Sequence, residues 1–221
     1  MPIPHDQVLL TVMLLSIPSR IEQHLMPLYS KMLKQAEKYP EVEILCLIDN
    51  KSMTIGEKRQ SLLNCARGKW VGFMDDDDDV SDNYIESLTE AMRNHPADVI
   101  TFDQHCSVNG EEFKVNFSMN NPHQPWIPGS GIDKILRPPY HMCFWKSEIA
   151  KEAKFKPSSY GEDLAWCVEM YPKIRTETHI DRVLHHYLFD DRTSESIQYA
   201  NKLPKEDASE VSNETKTTQV F

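Results

Sequence analysis

The strongest constraint on the fold is an alternation. Four short apolar runs are Val8 to Leu15, "VEILCLI" at 42–48, "WVGFM" at 70–74 and "DVITF" at 98–102. Between the first two, Ile21, Leu25, Leu28, Met32 and Ala36 recur at helical spacing, which predicts a helix over 21–38. Leu62, Leu63 and Ala66 mark a second helix over 56–66, and Ile85, Leu88 and Met92 a third. Apolar runs without polar alternation are strands buried on both faces. Strands alternating with helices require right-handed crossovers. The expectation is an α/β fold with a mostly parallel central sheet flanked by helices.

The second half reads differently. Asn109-Gly110 between alternating residues predicts a small antiparallel hairpin. The polar stretch 119–139 is long for a plain connector and is read as a binding loop. Residues 140–145 read as a strand, 161–171 as a short helix and 179–189 as one or two strands. The 221 residues suit one domain over 1–201. Residues 202–221 are polar and lack periodicity, and are read as a disordered tail.

A net charge of −10 disfavours nucleic acid and anionic membranes as partners. The N-terminal apolar run is too short to span a membrane and lacks a basic leader, so no membrane insertion is expected. Five cysteines without CxxC spacing fit reduced thiols in a cytoplasmic setting.

Directly after the third strand come five aspartates, Asp75 to Asp79. A solvated acidic turn is the ordinary reading of such a run. Against it stands the position, joined to Trp70, Val71, Phe73 and Met74. Packed carboxylates raise one another's pKa unless a cation compensates. An EF-hand loop would need Gly where Val80 stands, and a helix where a strand precedes. A site for Mn²⁺ or Mg²⁺ beside a diphosphate is the third reading, since hard cations take carboxylate and phosphate oxygens. Ligands of open α/β sheets collect at the carboxyl ends of strands. The aspartates, Asp49 and the "SIPSR" loop all follow strand ends.

The stretch "IGEKRQSLLNCARGKWVGFMDDDDDVSDNYI" (55–85) resembles the core of family 2 glycosyltransferases with the GT-A fold. Arg59, Ala66, Gly68, Phe73, Asp75, Asp77, Asp78 and Ile85 carry the likeness. "GEDLAW" at 161–166 resembles the family's acidic acceptor-side motif, and "VLHHYLFDDRTSES" its closing strand. The likeness runs from about residue 8 to residue 200. A small domain of this kind is similar to glycosyltransferases of phages and large DNA viruses. "SIPSR", "LIDN" and Gln60 depart from the family's usual residues.

The resemblance implies roles. Pro18, Ser19 and Arg20 would form the loop beside the nucleotide, Asp49 would bond the base, Arg59 would approach the nucleotide and Asp76 the ribose. Asp77, with Asp75 close by, would hold the metal, and His186 would be a late metal or diphosphate contact. Asp163 would be the general base, with Glu162 beside it at the acceptor. The implied donor is a nucleotide-sugar, most often a UDP-sugar, and the acceptor is a hydroxyl of a glycan, protein or other molecule. In chemical terms, a cation neutralises the departing diphosphate while a carboxylate on the opposite side takes the acceptor's proton, inverting the anomeric centre.

Other readings stay open. Glu162 and Asp163 equally suit the first turn of a helix. His185 and His186 point to opposite faces of a strand, so only one can face the cluster. Arg137 and His141 read as surface loop residues, and Trp166 as core. A nucleotidyltransferase would want a Gly-rich phosphate loop that "SIPSR" lacks. A non-enzymatic calcium- or sugar-binding module would not need Arg59, Asp49 and Asp163 in register.

Overall fold

The computed structural model describes residues 7–191. Strand β1 (Leu10–Ser16) is wholly buried and lies between β2 (Val42–Ile48) and β3 (Trp70–Asp75), parallel to both. The segments between them supply α1 (Met26–Ala36) and α2 (Ile55–Cys65). The first helix arrives in two steps: a tight turn at Pro18–Arg20 and a wide helical turn at Ile21–Leu25 precede α1. Thr54 and Glu57 close a reciprocal cap that starts α2.

After β3 the chain makes a two-residue strand β4 (Asp79–Val80), then α3 (Tyr84–Asn94), whose Tyr84, Ile85, Leu88 and Met92 are buried. Strand β5 (Val99–Val108) is twice as long as its apolar run, because it continues into a hairpin with β6 (Glu111–Phe117). Asn109 and Gly110, at φ 52° and 85°, form the turn, as their pairing predicted. The expected loop over 119–139 contains a short strand, β7 (Lys134–Arg137), parallel to β6.

The expected strand at 140–145 is corrected. Tyr140 to Cys143 form a turn closed by Cys143 N–H donating to the Tyr140 carbonyl, and β8 spans only Phe144–Lys146. Preceding prolines at 138 and 139 remove two donors that a longer strand would use. A short α4 (Ser147–Ala150) follows, then α5 (Glu162–Met170) and one continuous β9 (Glu177–Phe189).

Among the described residues these strands form one nine-stranded sheet, in the order β2-β1-β3-β8-β5-β6-β7, with β9 on β5 and β4 on β9. Its β2-β1-β3 core is parallel, whereas β8 runs antiparallel to both β3 and β5, so the sheet is mixed. Helices pack on this sheet, the arrangement expected of a GT-A domain. The expected tail over 202–221 lies outside the described residues.

Candidate active site

The ends of β1 and β3, the start of α2, the 137–142 segment and the start of α5 surround a cavity of about 630 Å³. It is lined by Arg20, Lys58, Arg59, Asp75 to Asp78, His141, Glu162 and Asp163, among others. Arg20 and Asp163, 143 positions apart, therefore meet around one space.

The five aspartates do not act as a uniform cluster. Asp75 is held at both oxygens: Arg59 Nη2 donates to Oδ1 at 2.9 Å, and His141 Nε2 is 3.4 Å from Oδ2. Burial opposes its charge, yet Arg59 and His141 outweigh it and hold the carboxyl well below the usual range. Asp76 is forked by Arg20 and accepts from the Ser16 hydroxyl. Asp77 meets Arg20 Nη2 at 2.9 Å and keeps a side chain 44% exposed. Its surroundings and the charge of Asp78 push its carboxyl up to about 7. Asp78 points inward, 3.1 Å from His185 Nε2, and burial raises its carboxyl despite that imidazole. Asp79 turns to Lys31 at 3.0 Å.

Opposite lies the start of α5. Asp163 Oδ1 accepts from the Leu164 N–H at 2.7 Å, and its Oδ2 is 3.3 Å from His141 Nδ1. Burial would raise it, but His141, Arg59 and that N–H together keep it below the usual range, hence anionic at neutral pH. Glu162 accepts from Arg59 Nε at 3.2 Å; burial and the neighbouring Asp163 push it up to about 7. His141 rises to about 9, because Asp163 and Asp75 outweigh burial and Arg59. Beneath this layer Arg59 stands over the Phe73 ring at 5.1 Å, and Phe73 packs edge-on against Phe155 and Trp166. Trp166 is core, as expected, with its indole N–H on the Ala150 carbonyl.

Several expected site residues stand elsewhere. Pro18 and Ser19 are exposed on the turn before Arg20 and do not line the cavity. Asp49 sits outside it too: its carboxylate faces Lys58 Nζ at 2.8 Å and accepts from Met53 N–H, and despite partial desolvation those contacts hold it down at about 2. His186 does not line the cavity. It pairs in register with Asp79, and its ring lies 5.7 Å from His105, while His185 is the histidine that reaches Asp78. The cause is irregular pairing of β9 with β5, whose register shifts on either side of Asp103. Arg137 and His141, read as surface residues, are both buried and line the cavity.

The model of the family Glycosyl transferase family 2 matches residues 30–152, more than half of the chain. The chain belongs to glycosyl transferase family 2. Among solved structures, residues 1–349 of S. aureus TarS in complex with UDP-GlcNAc are similar at 16% identity and a TM-score of 0.60, covering 92% of this chain and 64% of that one. The same fragment in complex with UDP gives 17% identity and a TM-score of 0.56, covering 92% and 69%. A longer S. aureus TarS structure gives 14% and 0.55, covering 92% of this chain and 42% of that chain. At such identity the likeness establishes the fold. This family 2 chain thus spans 64% of the first TarS fragment. No match was found among curated proteins.

A divalent cation, implied by the fold family, is compatible with the donor set. The Asp78 Oδ1 atom is buried with no hydrogen-bond partner, and Asp77 carries an exposed carboxylate crowded by like charge. Among the described residues no three His, Cys, Asp or Glu side chains converge as a preformed cage. Mg²⁺ sites built from one or two carboxylates and substrate phosphates need no such cage. No described helix is long and apolar enough to cross a membrane.

Proposed function

We propose that this chain transfers a sugar from a UDP-sugar to an acceptor hydroxyl, by a single displacement that inverts the anomeric centre. One observation carries the reading: an anionic Asp163 and the Asp75–Asp78 turn share one cavity, joined by a single imidazole. Asp163 accepts the acceptor's proton as its oxygen attacks. Glu162 stands beside it and orients the acceptor. On the other side, Arg20, Lys58 and Arg59 supply positive charge near the departing diphosphate. Asp77, with Asp75 adjoining, would hold Mn²⁺ or Mg²⁺, which as a Lewis acid would neutralise that diphosphate. UDP is favoured because the similar TarS fragment was solved with UDP and with UDP-GlcNAc.

A thermal-shift panel tests this. Mn²⁺ with UDP or a UDP-sugar should raise the melting temperature beyond either component alone, and GDP-sugars and NTPs should not. Equal stabilisation by all nucleotides, or by Ca²⁺ alone, would defeat the proposal.

A further inference from the structure

Arg20 lays its guanidinium across two successive carboxylates in unequal fashion. Toward Asp76 it makes a fork: Nε lies 2.9 and 3.1 Å from the two oxygens and Nη2 lies 2.7 Å from Oδ1. Toward Asp77 it makes one contact, Nη2 to Oδ2 at 2.9 Å. Asp76 is anchored a second time by the Ser16 hydroxyl, whereas among the described residues Arg20 is the one group paired with Asp77. The side chain of Asp76 is 7% exposed and that of Asp77 44%. Arg20 can therefore let Asp77 go while keeping its grip on Asp76.

We infer that Arg20 is a built-in counter-cation, which neutralises Asp77 in the free protein and yields it to a divalent cation that arrives with the donor. The inference rests on the metal-dependent reading of this same site. A carboxylate oxygen that takes a divalent cation cannot keep a guanidinium N–H at hydrogen-bond distance without setting two positive charges a few ångströms apart. The cation and Arg20 therefore compete for Asp77. A diphosphate relieves the competition, because its oxygens can be shared between the cation and the guanidinium Nη2 released from Asp77. Free protein should bind cations poorly, and binding should tighten sharply when UDP is present. Arg20 then has two successive tasks, holding Asp77 first and the diphosphate afterwards.

The test is a Mn²⁺ titration of the full chain, followed by the electron paramagnetic resonance signal of free Mn²⁺, with and without UDP. Arg20→Gln should bind Mn²⁺ alone roughly tenfold tighter than the wild type, the order that one partly exposed charge is worth. Its gain from UDP should shrink. Arg20→Lys, which keeps the charge, should stay near the wild type for Mn²⁺ alone. Unchanged or weaker Mn²⁺ binding by a cooperatively melting Arg20→Gln, while UDP still promotes binding to the wild type, overturns the counter-cation and leaves the proposed function standing. No Mn²⁺ binding by any form, even with UDP, removes both. Wild-type crystals soaked with Mn²⁺ and UDP give a readout independent of variants. Arg20 should remain on Asp76 and be parted from Asp77; an intact Arg20–Asp77 contact beside bound Mn²⁺ overturns the inference.

Discussion

His141 places Nδ1 3.3 Å from Asp163 Oδ2 and Nε2 3.4 Å from Asp75 Oδ2. One buried imidazole thus bridges the proposed base and the acidic turn. Asp163 stays anionic in a desolvated place largely because that imidazole faces it. Replacing His141 by Leu removes the compensating charge, so the Asp163 carboxyl should rise. The acid limb of the pH–rate profile should move upward by on the order of one unit, the effect of losing one opposite charge within about 4–6 Å. Activity at pH 4.5 should then fall further than activity at pH 7.5. An equal loss at both values would mean that His141 only packs.

Stability should also depend on pH with a defined sign. His141 is raised to about 9 in the fold, above the ordinary histidine value. Its contribution is fully present below about 6.5 and is lost as pH rises through about 9. Asp77 and Glu162 are raised to about 7, so their protonated forms favour the fold and stability declines from about pH 4 toward 7. Asp49, depressed to about 2, works in the opposite sense: it contributes above about pH 4 and is lost as pH falls through about 2. Urea denaturation without divalent ions should show falling stability from pH 6 to 9.5. Mn²⁺ with UDP should stabilise more at pH 8 than at pH 5.5, because the cation takes the deprotonated carboxylate. A stabilisation independent of pH would argue against Asp77 as its ligand.

Asp163→Asn separates chemistry from binding. The amide keeps an oxygen to accept the Leu164 N–H but cannot take a proton at neutral pH. Sugar transfer should drop by about 10²- to 10⁴-fold, the usual worth of a general base. The thermal shift produced by UDP with Mn²⁺ should persist. Transfer near the wild-type rate would remove Asp163 from the reaction.

These residues also show where sequence reading reaches its limit. Apolar runs and helical spacing located β1, β2, β3 and α3 closely, since burial on both faces marks β1 and β3 almost throughout; β2, at the end of the strand order, kept its apolar run although Cys46 and Ile48 are exposed. Asn109-Gly110 marked its hairpin because few residues tolerate that backbone. His141 left no such mark. It lies in a turn, and its importance comes from two acids 66 and 22 positions away. The prolines at 138 and 139 were the one available hint of a fixed loop. For His185 and His186, simple strand alternation could say that one faces inward but not which, because irregular pairing with β5 sets the phase. Asp49 and Asp76 were readable as acids at strand ends. Their ties to Lys58 and Arg20 depend on side-chain directions that spacing does not encode.

Gly56 provides the last prediction, one in which packing far from the chemistry decides the site. Its N–H donates to the Ser158 carbonyl at 2.8 Å, and a Cβ there would sit 1.8 Å from the Lys156 carbonyl oxygen. Neither backbone can yield cheaply, since Ile55 N–H also donates to Ser159 Oγ at 3.2 Å. The 156–159 segment leads directly into Glu162 and Asp163, while α2 carries Lys58 and Arg59. Gly56→Ala should therefore cost about 1–3 kcal/mol as overpacking, and should push Arg59 away from Glu162. Thr54→Ala is the control: it removes the α2 cap at a cost of about 1 kcal/mol without adding bulk against 156–159. At a temperature where both variants are folded, Gly56→Ala should lose transfer activity well beyond Thr54→Ala. Equal activity in the two would show that the contact between α2 and the 156–159 segment supports the fold and does not set the distance between Arg59 and the α5 acids.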